Sequence, residues 1–189
     1  LKAPGHIYVN PPEWLPTPLY FANYPETWQK LPFGAFIQNS IIITVLATIG
    51  YVLSSTMAAY AFARLQFKGR NFYFALLLST LMLPGQVTLI PQFILYKNLG
   101  WLDTFLPLIV PAFFGGPWLT FLVRQFMLTL PRDLDDAARI DGCSSFGVFR
   151  RIILPLAKPA LIIIVIFVFN GTWNEFLLPL IYLFSPEKF

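Results

Sequence analysis

The charged positions of this chain leave four long apolar stretches between them. Leu31–Ala63, Asn71–Tyr96 and Thr104–Val123 carry no charge over 33, 26 and 20 residues, and a fourth, Pro159–Pro186, is interrupted only by Glu175. A helix needs about 20 mostly apolar residues to cross the hydrocarbon core of a bilayer. The pattern therefore predicts four spans, at about 36–62, 72–96, 104–123 and 159–184, and an all-α, polytopic transmembrane bundle. Composition agrees. The chain is 57% hydrophobic and 12% charged, against roughly 25% charged residues in a soluble domain, which sets aside a soluble enzyme, a nucleic-acid binder and a disordered tail. Cys143 is the one cysteine and His6 the one histidine, too little for a disulfide framework or a His/Cys metal site.

The basic residues give the spans a direction. Arg64, Lys68 and Arg70 fall in the loop after the first span, and Arg124, Arg132, Arg139, Arg150, Arg151 and Lys158 around the loop after the third, so nine of the 13 basic residues sit on one side. Lys2, Lys30, Lys97 and Lys188 lie on the other. The positive-inside rule then places the Arg-bearing loops in the cytoplasm and both observed ends, with the turn Lys97–Asp103, outside. Residues 1–33, dense in proline and aromatics, read as an external strap without regular helix, and residues 34–189 as the transmembrane domain. The chain starts at Leu1 with no initiator methionine or leader pattern ahead of the first span, the mark of a fragment or a processed chain.

Two spans contain helix breakers. Pro84-Gly85 and Pro91 fall in the second, and Pro107, Pro111 and Gly115-Gly116-Pro117 in the third. Backbone opened at membrane depth is tolerated only where protein or a watery cavity satisfies it, so these positions are candidates for a translocation path or for packing kinks. The fourth span starts as purely apolar residues and then brings together Asn170, Thr172, Trp173, Asn174 and Glu175. An ionisable group in a span faces the bundle interior or water and marks a functional hypothesis. Asn170, Trp173, Asn174 and Glu175 are therefore candidates for the wall of a translocation path, and Glu175 also admits an ion-coupled carrier or channel. The spans offer one carboxylate and no histidine, which is too little for an integral-membrane enzyme.

The connection 130–157 is the richest segment. Asp133–Asp141 reads as a helix, with acids in its first turn where the helix dipole favours them, and Gly142 is placed to end it. Asp141 opposes the dipole and is expected to cap the next turn or pair with an arginine. Ser144 or Ser145 then caps a second short helix, with Phe146, Phe149 and Ile153 on one face. The small face of Leu134, Ala137 and Ala138 suits a groove on a partner, while an amphipathic hairpin resting on the inner leaflet is the alternative.

Asp136-Ala137-Ala138, then Gly142 after three intervening residues, and then Ile152, Leu154 and Pro155 resemble the E-A-A-x-x-x-G-x9-I-x-L-P loop of bacterial ABC importer permeases. The resemblance to the sugar-importer (maltose-type) branch extends over Asn39-Ser40, Ala58–Arg64, Phe67–Arg70, Pro84, Pro91 and Trp173-Asn174-Glu175. It implies a MetI-like permease fold in which Asp136, Ala137, Ala138, Asp141, Gly142, Leu154 and Pro155 dock a cytoplasmic ATPase dimer. It also implies a second permease subunit, an extracytoplasmic substrate-binding protein and a bacterial inner membrane, with no cofactor in this chain and ATP bound by the partner. The sequence has no G-x-x-x-x-G-K-[ST] phosphate loop, so by this route it is not itself the ATPase. Asp136 stands where the family has Glu, one methylene shorter. Such permeases have six spans with this loop between the fourth and fifth, which implies a span before Leu1 and another after Phe189.

Overall fold

The computed structural model describes residues 2, 11, 14, 15 and 19–189; most of the expected strap, with His6, lies outside them. All regular elements among the described residues are helical. A short helix, α1 (Asn23–Lys30), corrects the expectation that the proline-rich segment holds none. Pro25 occupies its first turn, where no intrahelical N–H is needed, and no other proline follows until Pro32. Glu26 near its start and Lys30 at its end pair at 3.8 Å.

The long helix α2 (Phe33–Arg64) is the spine of the molecule. At 1.5 Å per residue its 32 residues span about 48 Å. It packs against α6 (Pro117–Thr129), α10 (Lys158–Trp173) and the 3-10 turn Val110–Phe114. Ala59, Ala63, Val123, Met127, Ile153 and Ile164 form the centre of the shared core. The opposite face of α10, with Ile162, Ile163, Ile166 and Phe167, is exposed, as a lipid-facing surface requires.

The second predicted span is two legs. Helix α3 (Arg70–Ser79) with its 3-10 extension to Met82 meets α4 (Gly85–Asn98) at 98°, because Pro84 has no N–H to give and holds Leu83 extended (ψ 117°). Pro91, by contrast, stays inside α4 without breaking it.

The third span is longer than its charge-free run: α5 (Leu106–Ile109), the 3-10 turn and α6 together reach Thr129. The run ended at Arg124, yet that guanidinium lies 4.0 Å from the centre of the Phe74 ring and donates to the Phe62 carbonyl at 3.3 Å, so the helix carries it without loss. The break falls at Gly115, whose φ of +92° is open to glycine, and Pro117 starts α6 in its first turn.

The fourth span also divides. α10 ends at Trp173, and α11 (Leu177–Tyr182) follows after Asn174–Phe176. Before α10 the chain turns by 76° from the hairpin helices.

Candidate functional site: a clamped hairpin and a polar pocket at a helix break

The hairpin begins with α7 (Asp133–Ile140), whose first turn holds Asp133, Asp135 and Asp136. It ends in a double closure: the N–H of Gly142 donates to Arg139 O at 3.0 Å and that of Cys143 to Ala138 O at 2.9 Å. This pairing demands a left-handed residue in between, and Gly142 supplies φ +82°. Ser144 caps the following helix α8 (Ser145–Val148), its Oγ accepting from the Gly147 N–H at 3.2 Å. The Asp141 carboxylate takes no hydrogen bond or arginine among the described residues, contrary to expectation.

Phe146 and Phe149 share a face, their rings 6.1 Å apart, while Ile153 leaves it for the core. A π turn over Phe149–Ile153 changes the angular step, leaving Phe146 63% exposed and Ile153 fully buried. Phe149 lies between, its ring 5.0 Å from that of Tyr60. Continuing through α9 (Leu154–Leu156), Leu154 is half-buried and Pro155 exposed.

Two faces of α7 have separate duties. Asp135 and Ala138 turn inward and are buried; Ala138 joins the same core as Ala63, Met127 and Val148. Asp136, Ala137, Asp141 and Gly142 turn outward, with Ile140 87% exposed. Ala138, expected beside Ala137 on a docking face, is therefore in the structure a seat for α7 on its own bundle.

The seat is electrostatic as well. Arg64, the last residue of α2, reaches Asp135 (Nη1 to Oδ2, 3.4 Å) and donates through Nη2 to Met127 O at 2.7 Å and Leu130 O at 2.9 Å. Tyr60, one helical turn earlier, donates to Ser145 O at 2.9 Å. One helix end thus grips both arms of the hairpin and the end of α6. Sequence reasoning treated Arg64 as a loop charge and passed over Asp135; its spacing of three residues from Ala138 was the available signal for an inward face.

At the far end of the bundle, Asp103 holds the last described residues. Its Oδ1 accepts from the N–H groups of Phe184 and Ser185, and its Oδ2 from the Ser185 hydroxyl at 2.6 Å and Lys188 Nζ at 2.9 Å. The Ser185 hydroxyl and the Lys188 ammonium, with the two amides, hold this carboxyl well below the usual carboxylate range. Asn39 donates to the carbonyls of Glu187 and Phe189.

Between the two ends a cavity of about 300 Å³ opens beside the break in the fourth span. Ile43, Ala47 and Tyr51 of α2 line it, with Gly171 and Thr172 of α10, Glu175, and Leu178 and Pro179 of α11. Glu175 is a cap as well as a wall: its Oε1 accepts from the N–H groups of Leu177 at 2.9 Å and Leu178 at 3.3 Å. The remaining predicted path residues are not part of this cavity's lining. Asn170 and Asn174 turn their amide N–H groups back onto Ile166 O and Asn170 O, and Trp173 stacks on Phe169 at 5.7 Å. Pro84 and Pro91 sit on the exposed side of α3 and α4.

Broken apolar helices around a mostly apolar pocket that holds one carboxylate, with a helical hairpin clamped to one end, fit a membrane transport component. The chain belongs to the family of binding-protein-dependent transport system inner membrane components, which it matches over residues 50–186. It is 42% identical to the arabinooligosaccharides transport system permease protein AraQ of Halalkalibacterium halodurans, over 86% of this chain and 55% of that protein. With the diacetylchitobiose uptake system permease protein NgcG of Streptomyces coelicolor the identity is 36%, over 94% of this chain and 59% of that protein. Among solved structures, a bacterial ABC transporter involved in the import of the acidic polysaccharide alginate superposes with a TM-score of 0.84 at 25% identity, covering 92% of this chain and 61% of that one. The fold is thus the MetI-like importer permease fold, and the chain spans somewhat more than half the length of these relatives.

Proposed function

We propose that the chain forms part of the membrane-spanning path of an ATP-driven, binding-protein-dependent importer of sugars, and that the hairpin 133–155 docks a cytoplasmic ATPase dimer. The observation that carries this reading is the division of α7: its inner face is fixed to α2 by Arg64, Asp135 and Ala138, while its outer face, Asp136, Ala137 and Ile140, is left uncovered. An uncovered apolar residue flanked by a carboxylate and a small side chain is a surface for a partner groove. The cargoes for which two relatives are named, arabinooligosaccharides and diacetylchitobiose, support sugars as the substrate class.

On this reading the Arg-bearing end is cytoplasmic, in the inner membrane of a bacterium, and the Asp103 end faces an extracytoplasmic binding protein. A second permease subunit completes the path, and lipid covers the outer face of α10. Closure of the ATPase dimer moves the hairpin, and through Arg64 and Tyr60 it moves α2, switching the bundle between outward-open and inward-open states. Glu175 has a structural duty as the cap of α11, which favours a path wall over an ion-coupling site.

The test is co-purification of the complete complex. Ala137→Arg and Ile140→Asp, both on the uncovered face, are expected to reduce the ATPase recovered with the membrane subunit at least tenfold while leaving membrane insertion unchanged. Normal recovery and normal stimulation of ATP hydrolysis in both variants would remove the docking reading. A charge at Ala138 would also unseat α7 from its own core, so it is the poorer probe.

A further inference from the structure

We infer, on the import reading just given, that the cavity beside Glu175 is a sugar subsite whose carboxylate selects uncharged or amino-bearing rings and turns away anionic ones such as uronates and sugar phosphates. The argument starts from position. Tyr51 stands roughly 27 Å along the ~48 Å of α2, and Ala47 and Ile43 lie one and two turns before it, so the cavity occupies the central and outer depth of the bundle rather than its rim. A volume of about 300 Å³ is at the lower end for small-molecule sites.

The walls come in two kinds. Ile43, Ala47, Leu108, Leu178, Pro179 and the Tyr51 ring offer apolar surface to the C–H faces of a pyranose or furanose ring. Thr172 and Glu175 supply the polar groups. Among the described residues no hydrogen bond engages Glu175 Oε2, because Oε1 takes both N–H groups of α11. One carboxylate oxygen therefore remains free to accept from a ligand hydroxyl or ammonium.

The charge balance decides the substrate class. Among the described residues no lysine, arginine or histidine lines the cavity, and the described ion pairs all lie elsewhere, at Lys30–Glu26, Arg64–Asp135 and Lys188–Asp103. Glu175 is exposed, and a carboxylate without a cation beside it among the described residues still repels a second anion brought within a few ångströms of it. A hydroxyl or an ammonium meets no such penalty.

The experiment measures the field directly and does not depend on knowing the sugar. In the complete complex carrying Cys143→Ser, a single cysteine is introduced at Gly171, where an added Cβ meets no atom within 4 Å, or at Thr172 as a second site. Its modification rate is measured with a trimethylammonium-bearing and a sulfonate-bearing methanethiosulfonate. The cationic reagent is expected to react at least tenfold faster relative to its rate with free thiol than the anionic one, and Glu175→Gln, which keeps an oxygen to cap α11, is expected to bring the two within about twofold. Equal relative rates before the change, or a preference unmoved by Glu175→Gln, overturn the inference. Uptake of radiolabelled neutral, amino and uronate oligosaccharides into liposomes runs in parallel. ATP-driven uptake of uronates with exclusion of neutral sugars would overturn charge selection while leaving the import reading standing. No ATP-driven uptake of any sugar, with the cysteine rates as expected, would overturn the import reading and with it the assignment of the cavity to sugars.

Discussion

Arg64 brings a full charge to a place where 2% of its side chain meets solvent, and Asp135 meets it with 8%. Their pairing at 3.4 Å leaves Arg64 Nε and Asp135 Oδ1 buried without a partner among the described residues, so the contact is only partly satisfied. Such a pair adds little over a well-packed apolar one, but removing one member strands the other charge. Arg64→Met or Asp135→Leu alone is expected to cost about 3–5 kcal/mol, and the double variant markedly less than the sum of the two. Thermal unfolding of the complex in detergent, taken around the double-mutant cycle, checks this. Additive costs would mean that the two side chains act independently. The pair also explains what sequence reading missed at this scale. Arg64 follows a run of apolar residues and precedes Lys68 and Arg70, so it counts as a solvated loop charge, and the three acids of α7 look alike in a first turn. Only the approach of α2 to the hairpin separates Asp135 from Asp133 and Asp136.

At the level of elements, an opened helix has to find partners for its freed backbone. The break at Gly115-Gly116 does so on α2: Ser54 Oγ donates to Ala112 O at 2.9 Å, and Ser55 Oγ accepts from the Gly116 N–H at 3.0 Å. Small hydroxyl residues thus serve close packing and hydrogen bonding together. Ser55 is fully buried, so Ser55→Val and Ser55→Thr overfill the site alike, and only Val leaves the amide unpaired. The Val variant is expected to be less stable than the Thr variant by about 1–3 kcal/mol; equal melting temperatures would show that water takes over the bond. Breaker residues made the existence of these interruptions legible, and Gly142 marked the end of α7 because only a left-handed residue completes that closure. The location and depth of each break were not. Pro84 turns the chain by 98° while Pro91 is absorbed into α4: Leu83 ahead of Pro84 is extended, whereas the residues ahead of Pro91 stay helical. The charge-free-run rule failed at Arg124 because the Phe74 ring and the Phe62 carbonyl that receive the guanidinium come from other elements.

Taken whole, the molecule is fastened at both ends, by Arg64 and Tyr60 at the hairpin and by Asp103 and Asn39 at the other. The Asp103 clip is pH-dependent in a definite sense. Its carboxyl is held below its ordinary range by the Ser185 hydroxyl, the Lys188 ammonium and two backbone amides, so the stabilisation it gives is complete above the unfolded value of about 3.9 and fades as pH falls from there towards the depressed one. Asp103→Asn is therefore expected to lower the melting temperature of the complex at neutral pH, with the gap to the unaltered protein narrowing below about pH 4. A constant gap across that range would show that the charge of Asp103 is immaterial. The sorting of basic residues between the two ends was readable from the chain, because it depends on composition along the sequence; the clip was not, because it joins a turn to a segment some 80 residues away.

The contact at Gly50 carries a mechanical consequence. A Cβ there would lie 2.8 Å from the Phe113 ring and 3.1 Å from the Ala112 carbonyl carbon, so α2 bears directly on its neighbour at that point. Arg64 is 14 residues to one side of Gly50 and Ile43 seven to the other, arms of roughly 21 and 10 Å. If the proposed switching tilts α2 about this contact, α2 is a lever of unequal arms: a displacement at the hairpin would arrive at the outer wall of the cavity at about half its amplitude and in the opposite sense.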